Sequence, residues 1–142
     1  MDNYEHRNVI NGTSGEVWID GEYIAEVVAL EAKISFKKEE VLQSGNRDPG
    51  YKVTGREGKG TIKMNKVSSF FIKKLSEDIL NLRTTTATII TKLSDPDGLG
   101  TERVELIGCT FDELTLADWE AGKLGEESMP FTFSSFKALD TI

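Results

Sequence analysis

The residues that most constrain this fold lie between positions 22 and 38. From Ile24 to Phe36 every even position except Glu26 is apolar, and this period of two is typical of a β-strand with one buried face. Asp20-Gly21 stands just before this segment, and Asp-Gly supplies the positive φ angles that a type I′ turn requires. The pattern therefore predicts a hairpin in which residues 15–19 pair with a long strand over residues 22–38.

The opposite face of this predicted strand changes character halfway along. Its odd positions are apolar in the first half of the strand and polar in the second half. A strand that faces solvent on one side normally carries polar residues on that side, so the first half requires cover on both faces. We therefore expect Val27 or Ala29 to contact a neighbouring subunit or the N-terminal arm, residues 1–14.

The rest of the chain predicts further strands and a single helix. Apolar residues between Val67 and Leu82 follow a period of 3.6, and Ser68 or Ser69 can cap this helix. Residues 43–56 are rich in Ser, Gly, Asn, Asp and Pro, which predicts a long loop. Alternating or β-branched segments predict four more strands, at residues 57–67, 84–93, 102–114 and 129–138.

These elements indicate one mainly-β (α+β) domain over residues 1–142. Six or seven strands with one flanking α-helix are typical of a barrel or a sandwich. A chain of 142 residues is the size of one domain, and it contains no run of 18 apolar residues that would span a membrane. Its first six residues are polar and acidic, unlike a secretory signal.

Composition also excludes several kinds of site. With one cysteine and one histidine, the chain offers neither an internal disulfide nor a His/Cys zinc site. A formal net charge of −7 disfavours binding to nucleic-acid phosphates. We therefore expect no membrane anchoring and no specific nucleic-acid binding.

The charge is distributed unevenly along the chain. Residues 33–74 carry eleven Lys or Arg against four acidic residues, whereas residues 112–127 carry six acidic residues against Lys123. One interpretation is two solvated faces, with the acid pairs Asp112/Glu113 and Glu126/Glu127 both exposed to water. The other is self-complementarity, in which one pole of a subunit attracts the opposite pole of the next copy.

The sequence contains no complete motif for catalysis, a cofactor or a metal. Residues 55–61 are glycine-rich and basic, but their spacing differs from a P-loop and a strand follows them. Asp95-x-Asp97-Gly98 resembles the start of a calcium loop without its remaining ligands. Cys109 alternates with Ile107 and Phe111, which favours a small core residue. We therefore predict no enzyme activity and no catalytic, cofactor-binding or metal-ligating residues.

Six features follow one another along nearly the whole chain. The first three are Asn11-Gly12-Thr13-Ser14-Gly15-Glu16-Val17-Trp18 leading into the Ile19-Asp20-Gly21-Glu22 hairpin, a long strand with Glu31-Ala32-Lys33-Ile34, and Val53-Thr54-Gly55-Arg56-Glu57-Gly58-Lys59-Gly60-Thr61. The last three are one short helix, an acidic penultimate loop, and Pro130-Phe131-Thr132-Phe133-Ser134 near the end. Their order resembles the tail tube protein of contractile phage tails, of the PBSX-like defective prophage type, and of R-type bacteriocins.

This resemblance implies a structural protein. Members of the family fold as a β-barrel-like sandwich flanked by a helix, and they form hexameric rings that stack into a hollow tube inside a contractile sheath. The implied partners are further copies of the chain, the sheath protein, baseplate and tail terminator proteins, and a tape measure protein in the lumen. The implied place of assembly is the bacterial cytoplasm, and the implied product is the tail tube of a virion or bacteriocin.

The resemblance also implies a role for the predicted long loop. In the family this loop reaches an adjacent ring or subunit. By position in the chain, that loop is residues 43–56 here. The residues that the resemblance places at a subunit interface are Gly45, Asn46, Arg47, Asp48 and Tyr51.

A different class of protein remains open on the residues alone. A small β-barrel can bind an apolar ligand in a cavity lined by residues such as Trp18, Phe36 and Phe133. Such a barrel should stay monomeric at micromolar concentration, whereas a tube protein should form rings or filaments.

Overall fold

The hairpin predicted near the start of the chain is present in the computed structural model, which describes residues 3–142. β1 (Gly15–Ile19) pairs with β2 (Glu22–Tyr23), with Trp18 opposite Tyr23. The turn between them has φ angles of 51° at Asp20 and 82° at Gly21. Both angles are positive, as the Asp-Gly dipeptide predicts for a type I′ turn.

The strand predicted over residues 22–38 is two strands, so this prediction was wrong. β2 ends at Tyr23; the next residue, Ile24, still donates its N–H to the Val17 carbonyl at 3.0 Å, and the chain then leaves β1. A new strand, β3 (Val27–Val41), then pairs with β4 (Gly50–Asn65) in the opposite layer. The apolar pattern continues through the residues that connect β2 to β3, so the sequence gives no sign of the break.

The loop predicted over residues 43–56 is shorter than expected. β4 begins at Gly50, so only residues 42–49 connect β3 to β4. Glu40 lies opposite Tyr51 and Lys38 lies opposite Val53, and the ladder therefore runs through a segment whose composition is typical of a loop. Cross-strand pairing has overridden local propensity here.

The remaining elements follow the predicted order. The helix α1 (Phe70–Leu80) begins after Ser69, and β5 (Thr86–Leu93) and β6 (Glu102–Phe111) follow it. The predicted last strand is two, β7 (Glu126–Phe133) and β8 (Ser135–Asp140), because the chain bends at Ser134 to pair with the first half of β6.

The mainly-β class with one helix is confirmed, and all strand pairs are antiparallel. Eight strands form one sheet in the order β2-β1-β5-β6-β7-β4-β3, with β8 also paired to β6. The described residues thus contain eight strands rather than six or seven, because two predicted strands are each divided. The sheet folds over itself to form the two layers of a sandwich, and the chain passes from one layer to the other between β7 and β8.

The core fills the end of the sandwich that α1 covers. Phe71 of α1 is fully buried and meets Phe111 edge-on, with ring centroids 5.1 Å apart. The largest fully buried side chains share this end: Phe71, Phe131, Ile19, Ile62, Met64, Ile89, Met129 and Cys109. Burying each large apolar side chain contributes about 1.5–3 kcal/mol. The interpretation of Cys109 as a core residue is confirmed, and burial raises the pKa of its thiol to about 11.

Two glycines of β4 make room for aromatic rings. Gly58 lies opposite Phe133 and Gly60 lies opposite Phe131, and each ring covers the bare backbone of its glycine. A Cβ on Gly60 would stand 2.6 Å from the Glu31 carbonyl oxygen of β3. In the glycine-rich residues 55–61, Gly58 and Gly60 are therefore required for the close packing of β4 against these aromatic rings.

Candidate assembly surface

The outer edge of β3 has no strand partner among the described residues. β3 lies at one end of the sheet order and pairs only with β4. It is 15 residues long, and Val28 and Phe36 along it are 55% and 61% exposed. A long, apolar edge strand is a template for pairing with another chain, and proteins that remain monomeric normally protect such edges.

Val27 and Ala29, which were predicted to be covered by a neighbour, lie on either side of an irregularity in β3. The register shifts between Val27 and Ala29, so that one residue, Val28, is left out of the ladder. Val27 consequently packs against the protein's own core, whereas Val28 and Ala29 are exposed. The exposed apolar side chain at this position of the edge is Val28, which the period-two pattern had placed on the core face.

An open cleft of about 940 Å³ lies between the two layers of the sandwich. Leu30 and Ile34 of β3 line one wall, and Leu93, Val104 and Phe136 line the other. These apolar side chains are only partly covered. The core is therefore complete at the α1 end of the sandwich and unfilled at this end.

The structure does not bring together the three aromatic residues of the ligand-binding alternative. Only Phe133 lines the cleft. Trp18 packs against Tyr23, with ring centroids 5.5 Å apart, and Phe36 lies farther along β3. The predicted aromatic cavity is therefore absent from residues 3–142.

Beyond the sandwich, β3 and β4 continue as a two-stranded hairpin arm, residues 35–57. β4 pairs with β7 only from Gly58 onward, so the arm has no third strand. Even positions of β3 carry the core face past the end of the sandwich, and the residues opposite them share it. This face exposes Phe36, Val53 and Tyr51 beside the charged residues opposite them, Arg56, Lys38 and Glu40. A two-stranded hairpin is marginally stable alone and gains order from a covering surface.

The loop that connects β6 to β7, residues 112–125, forms a second exposed apolar surface, which we call the Trp119 loop. Leu114 packs against the core near one end, and the Lys66 N–H donates to the Gly125 carbonyl at 2.9 Å at the other. Three large apolar side chains between these anchors are almost fully exposed: Leu116, Trp119 and Leu124, at 73%, 85% and 99%.

The predicted interface residues fall at two ends of one strand pair. Gly45, Asn46, Arg47 and Asp48 lie in the turn of the hairpin arm, and the adjacent Tyr51 lies in β4 rather than in a loop. Val27 and Ala29 lie at the opposite end of β3, about 45 Å away at the usual rise of a strand. The two predicted sets therefore lie about one strand length apart on the same strand pair.

The predicted N-terminal arm is held to a turn by Asp95. The Asp95 carboxylate accepts the Asp97 N–H at 2.9 Å and the Asn11 N–H at 2.7 Å. These two hydrogen bonds hold the pKa of Asp95 below its usual value of 3.8. In the stretch that resembled the start of a calcium loop, the Asp95 side chain therefore closes a turn and tethers the arm.

We expect this tether to weaken in acid. Since the pKa of Asp95 is lowered in the folded chain, its contribution is present above pH 4 or so and is lost as the pH falls through the lowered pKa. Asp95→Asn should release the Asn11 amide at neutral pH, whereas Asp97→Asn should not. The amide proton shift of Asn11 in an NMR pH titration measures this, and an unchanged shift in Asp95→Asn would contradict the tether.

An ion pair between a buried carboxylate and a partly exposed lysine supports the base of the Trp119 loop. The Glu127 side chain is 2% exposed, and its Oε2 lies 3.4 Å from Lys66 Nζ. Its other oxygen, Oε1, has no hydrogen-bond partner in the described part of the chain. The interpretation of Glu126/Glu127 as two solvated acids was wrong for Glu127, because Glu127 pairs with Met64 on the core face of the sheet.

Metal-binding clusters and membrane-spanning helices were sought among residues 3–142. Among residues 3–142, no group of three or more His, Cys, Asp or Glu side chains is placed to hold a metal ion. None of the helices in this range has the length and apolar content to cross a membrane. The exposed apolar surfaces of β3, the hairpin arm and the Trp119 loop are therefore the features that require a functional explanation.

Comparisons with known proteins agree with one another. A family model described as "Phage tail tube protein" matches residues 2–140. The Bacillus subtilis (strain 168) protein "Phage-like element PBSX protein XkdM" is 35% identical over 132 residues, which cover 92% of this chain and 90% of that protein.

Two solved structures show the same fold at low sequence identity. One is the anti-feeding prophage cap (AFP tube terminating cap), with a TM-score of 0.75, 11% identity, and coverage of 99% of this chain and 97% of that one. The other is an extracellular contractile injection system, the PVC sheath-tube complex in its extended state, with a TM-score of 0.71, 13% identity, and coverage of 92% of both chains.

Proposed function

The chain belongs to the phage tail tube protein family, and from that membership we propose that it forms the inner tube of a contractile tail, as hexameric rings stacked into a hollow conduit. The resemblance found in the sequence is thereby confirmed at the level of the family. The proposed role is structural rather than enzymatic, in a prophage-type particle or an R-type bacteriocin.

The observation that carries this proposal is the free outer edge of β3. A ring closed by strand pairing between neighbouring copies would leave no open edge, which resolves the hazard that an exposed edge strand presents. Six copies of an eight-stranded chain supply enough strands to enclose a lumen, which one domain of this size is too small to do. We place Val28 and Ala29 in this contact, and Val27 directly beneath it.

The proposed partners follow from the same role. We propose that the tube contacts a sheath protein, baseplate and tail terminator proteins at its ends, and a tape measure protein in its lumen, after assembly in the bacterial cytoplasm. The likeness to a tube terminating cap and to a tube within a sheath supports this list. The net charge of −7 per copy would repel DNA from any wall it faces, which suits a conduit.

The test is ring formation by Val28→Asp. Val28 is 55% exposed in the subunit, so the variant should fold. In a ring, the new carboxylate would be buried without a partner, at a cost of at least several kcal/mol. We expect rings and tubes of the unaltered chain in negative-stain images at high concentration, and only monomers of Val28→Asp. The matched control is Leu99→Asp, at a residue 72% exposed in the turn between β5 and β6.

Two results would count against the proposal. Normal rings of Val28→Asp would show that the β3 edge is not the ring contact. An unaltered chain that stays monomeric at every concentration would contradict the tube itself and favour the ligand-binding alternative, with the apolar cleft as its site.

A further inference from the structure

The C-terminal end of α1 exposes a cluster of apolar side chains, which we call the α1 tip (residues 79–82). Ile79, Leu80 and Leu82 are 48%, 83% and 96% exposed. The buried face of the same helix carries Phe71 and Leu75, so the core does not use the tip. Single exposed apolar residues are common, but a cluster of them is typical of a surface that contacts another protein.

Leu82 also has a backbone conformation that leucine seldom adopts. Its φ angle is 55°, in the left-handed region that favours glycine. The helix ends in a Schellman motif, because the Arg83 N–H donates to the Asp78 carbonyl at 2.7 Å. The Leu82 N–H donates to the Ile79 carbonyl at 3.2 Å in the same motif. Glycine is the usual residue at this position, so contacts within one copy do not explain a leucine that is almost fully exposed.

The open cleft between the two layers is a concave surface of matching chemistry. Its volume is about 940 Å³, and its walls include the partly covered Leu30, Ile34 and Val104. Val28 and Ala29 also border it, so the cleft is continuous with the β3 edge that we place in the ring contact. A neighbour that pairs with this edge would therefore lie at the mouth of the cleft.

The α1 tip is held away from the cleft of its own chain. The Thr85 hydroxyl donates to the Asp78 carboxylate at 2.6 Å, which keeps the end of α1 beside the start of β5. The cleft lies at the other end of that strand, since Leu93 is both the last residue of β5 and part of the cleft wall. The eight residues of β5 span about 25 Å at the usual rise of a strand. The tip can therefore enter only the cleft of another copy.

We propose that the α1 tip of one copy fills the open cleft of the next copy around the ring. Leu80 and Leu82 then lie between the two layers of the neighbour, against its apolar walls. This inference rests on the proposed tube and adds an apolar contact to the strand pairing at β3. The tip and the cleft are different surfaces, so every copy provides one and receives one, and such a contact closes into a ring when the rotation between copies completes a circle.

Leu82→Gly tests the tip, because its two expected effects have opposite signs. Glycine adopts a φ of 55° without strain, so the urea midpoint of a dilute, monomeric sample should rise. The association constant for ring formation, measured by sedimentation velocity, should fall at least tenfold, since a leucine side chain is lost from an apolar contact. The matched control is Leu124→Gly, at a residue 99% exposed in the Trp119 loop, and it should leave the association constant unchanged.

Introduced cysteines test which surface the tip contacts. The native Cys109 is fully buried, so a folded chain offers only the introduced thiol to an oxidant. Leu82→Cys and Ile34→Cys chains are mixed as monomers, allowed to assemble and oxidised with copper phenanthroline. We expect a disulfide-linked dimer that contains one chain of each kind, and a chain that carries both changes should give a ladder of linked chains that ends at six. The control mixture, Leu124→Cys with Ile34→Cys, should give no linked dimer.

Failure of this inference differs from failure of the tube. Rings of Leu82→Gly as stable as those of the unaltered chain would overturn the contact and leave the proposed tube standing. Rings without a linked dimer in the Leu82→Cys mixture, or equal dimer yields from the two mixtures, would do the same. A ladder that continues beyond six would overturn the placement of the contact within one ring. A lack of rings in the unaltered chain would overturn the proposed function, and this inference with it.

Discussion

Replacing Gly60 with alanine is expected to destabilise the subunit by about 3 kcal/mol. The new Cβ would stand 2.6 Å from the Glu31 carbonyl oxygen and would also meet the ring of Phe131. Phe131 is fully buried, and the carbonyl belongs to the neighbouring strand, so neither can move away without disturbing the core. Urea unfolding of the monomeric subunit, followed by tryptophan fluorescence, measures the loss.

Two further glycines of β4 serve as matched controls. A Cβ on Gly58 would meet only the ring of Phe133, which borders the open cleft, and no backbone atom, so Gly58→Ala should cost less. A Cβ on Gly55 would lie 3.5 Å from Lys37 Cδ, an ordinary contact, so Gly55→Ala should change stability by under about 0.5 kcal/mol. Equal losses at Gly55 and Gly60 would show that strand propensity, not close packing, determines the effect.

Lys66→Met is expected to have an effect of similar size, about 3 kcal/mol. Lys66 is the cation beside the Glu127 carboxylate, whose other oxygen already lacks a partner in residues 3–142. Removing the ammonium leaves a nearly fully buried carboxylate uncompensated. The free energy of unfolding at neutral pH should therefore fall.

A second substitution separates the lost charge from the lost side chain. Glu127→Gln in the Lys66→Met background should recover most of the stability, because the neutral amide requires no counter-ion. The surface control is Lys123→Met, which breaks an ion pair whose two side chains are 70% and 66% exposed and should cost under about 1 kcal/mol. If Lys66→Met were no more destabilising than Lys123→Met, water would be solvating Glu127 and the pair would not be buried in solution.

Elements specified by neighbouring residues were predicted well from the sequence. Asp20-Gly21 determines its own turn, and the period of 3.6 around Phe71 and Leu75 is a property of one helix face. Family membership was likewise visible, since it depends on the order of features along the chain. These signals require no knowledge of which strand lies beside which.

Elements that depend on distant partners were not predicted well. The strand divides after Tyr23 because the start of this apolar segment pairs with β1 and the rest pairs with β4. Val28 is displaced because of the register of β3 against β4. The burial of Glu127 follows from its place opposite Met64, although Glu126-Glu127 has the composition of a solvated surface. The roles of Gly58 and Gly60 became clear only with the aromatic rings of β7 in place.

The open cleft has a consequence for how stability is defined in this chain. An isolated copy leaves Leu30, Ile34 and Val104 only partly covered, so its core is incomplete at that end. Any partner that covers this surface binds only the folded form and stabilises it by mass action. Folding and polymerisation then form one coupled equilibrium. The free energy of unfolding is lowest for a dilute, isolated copy, and it rises in a polymer whose neighbouring copies complete the core of each subunit.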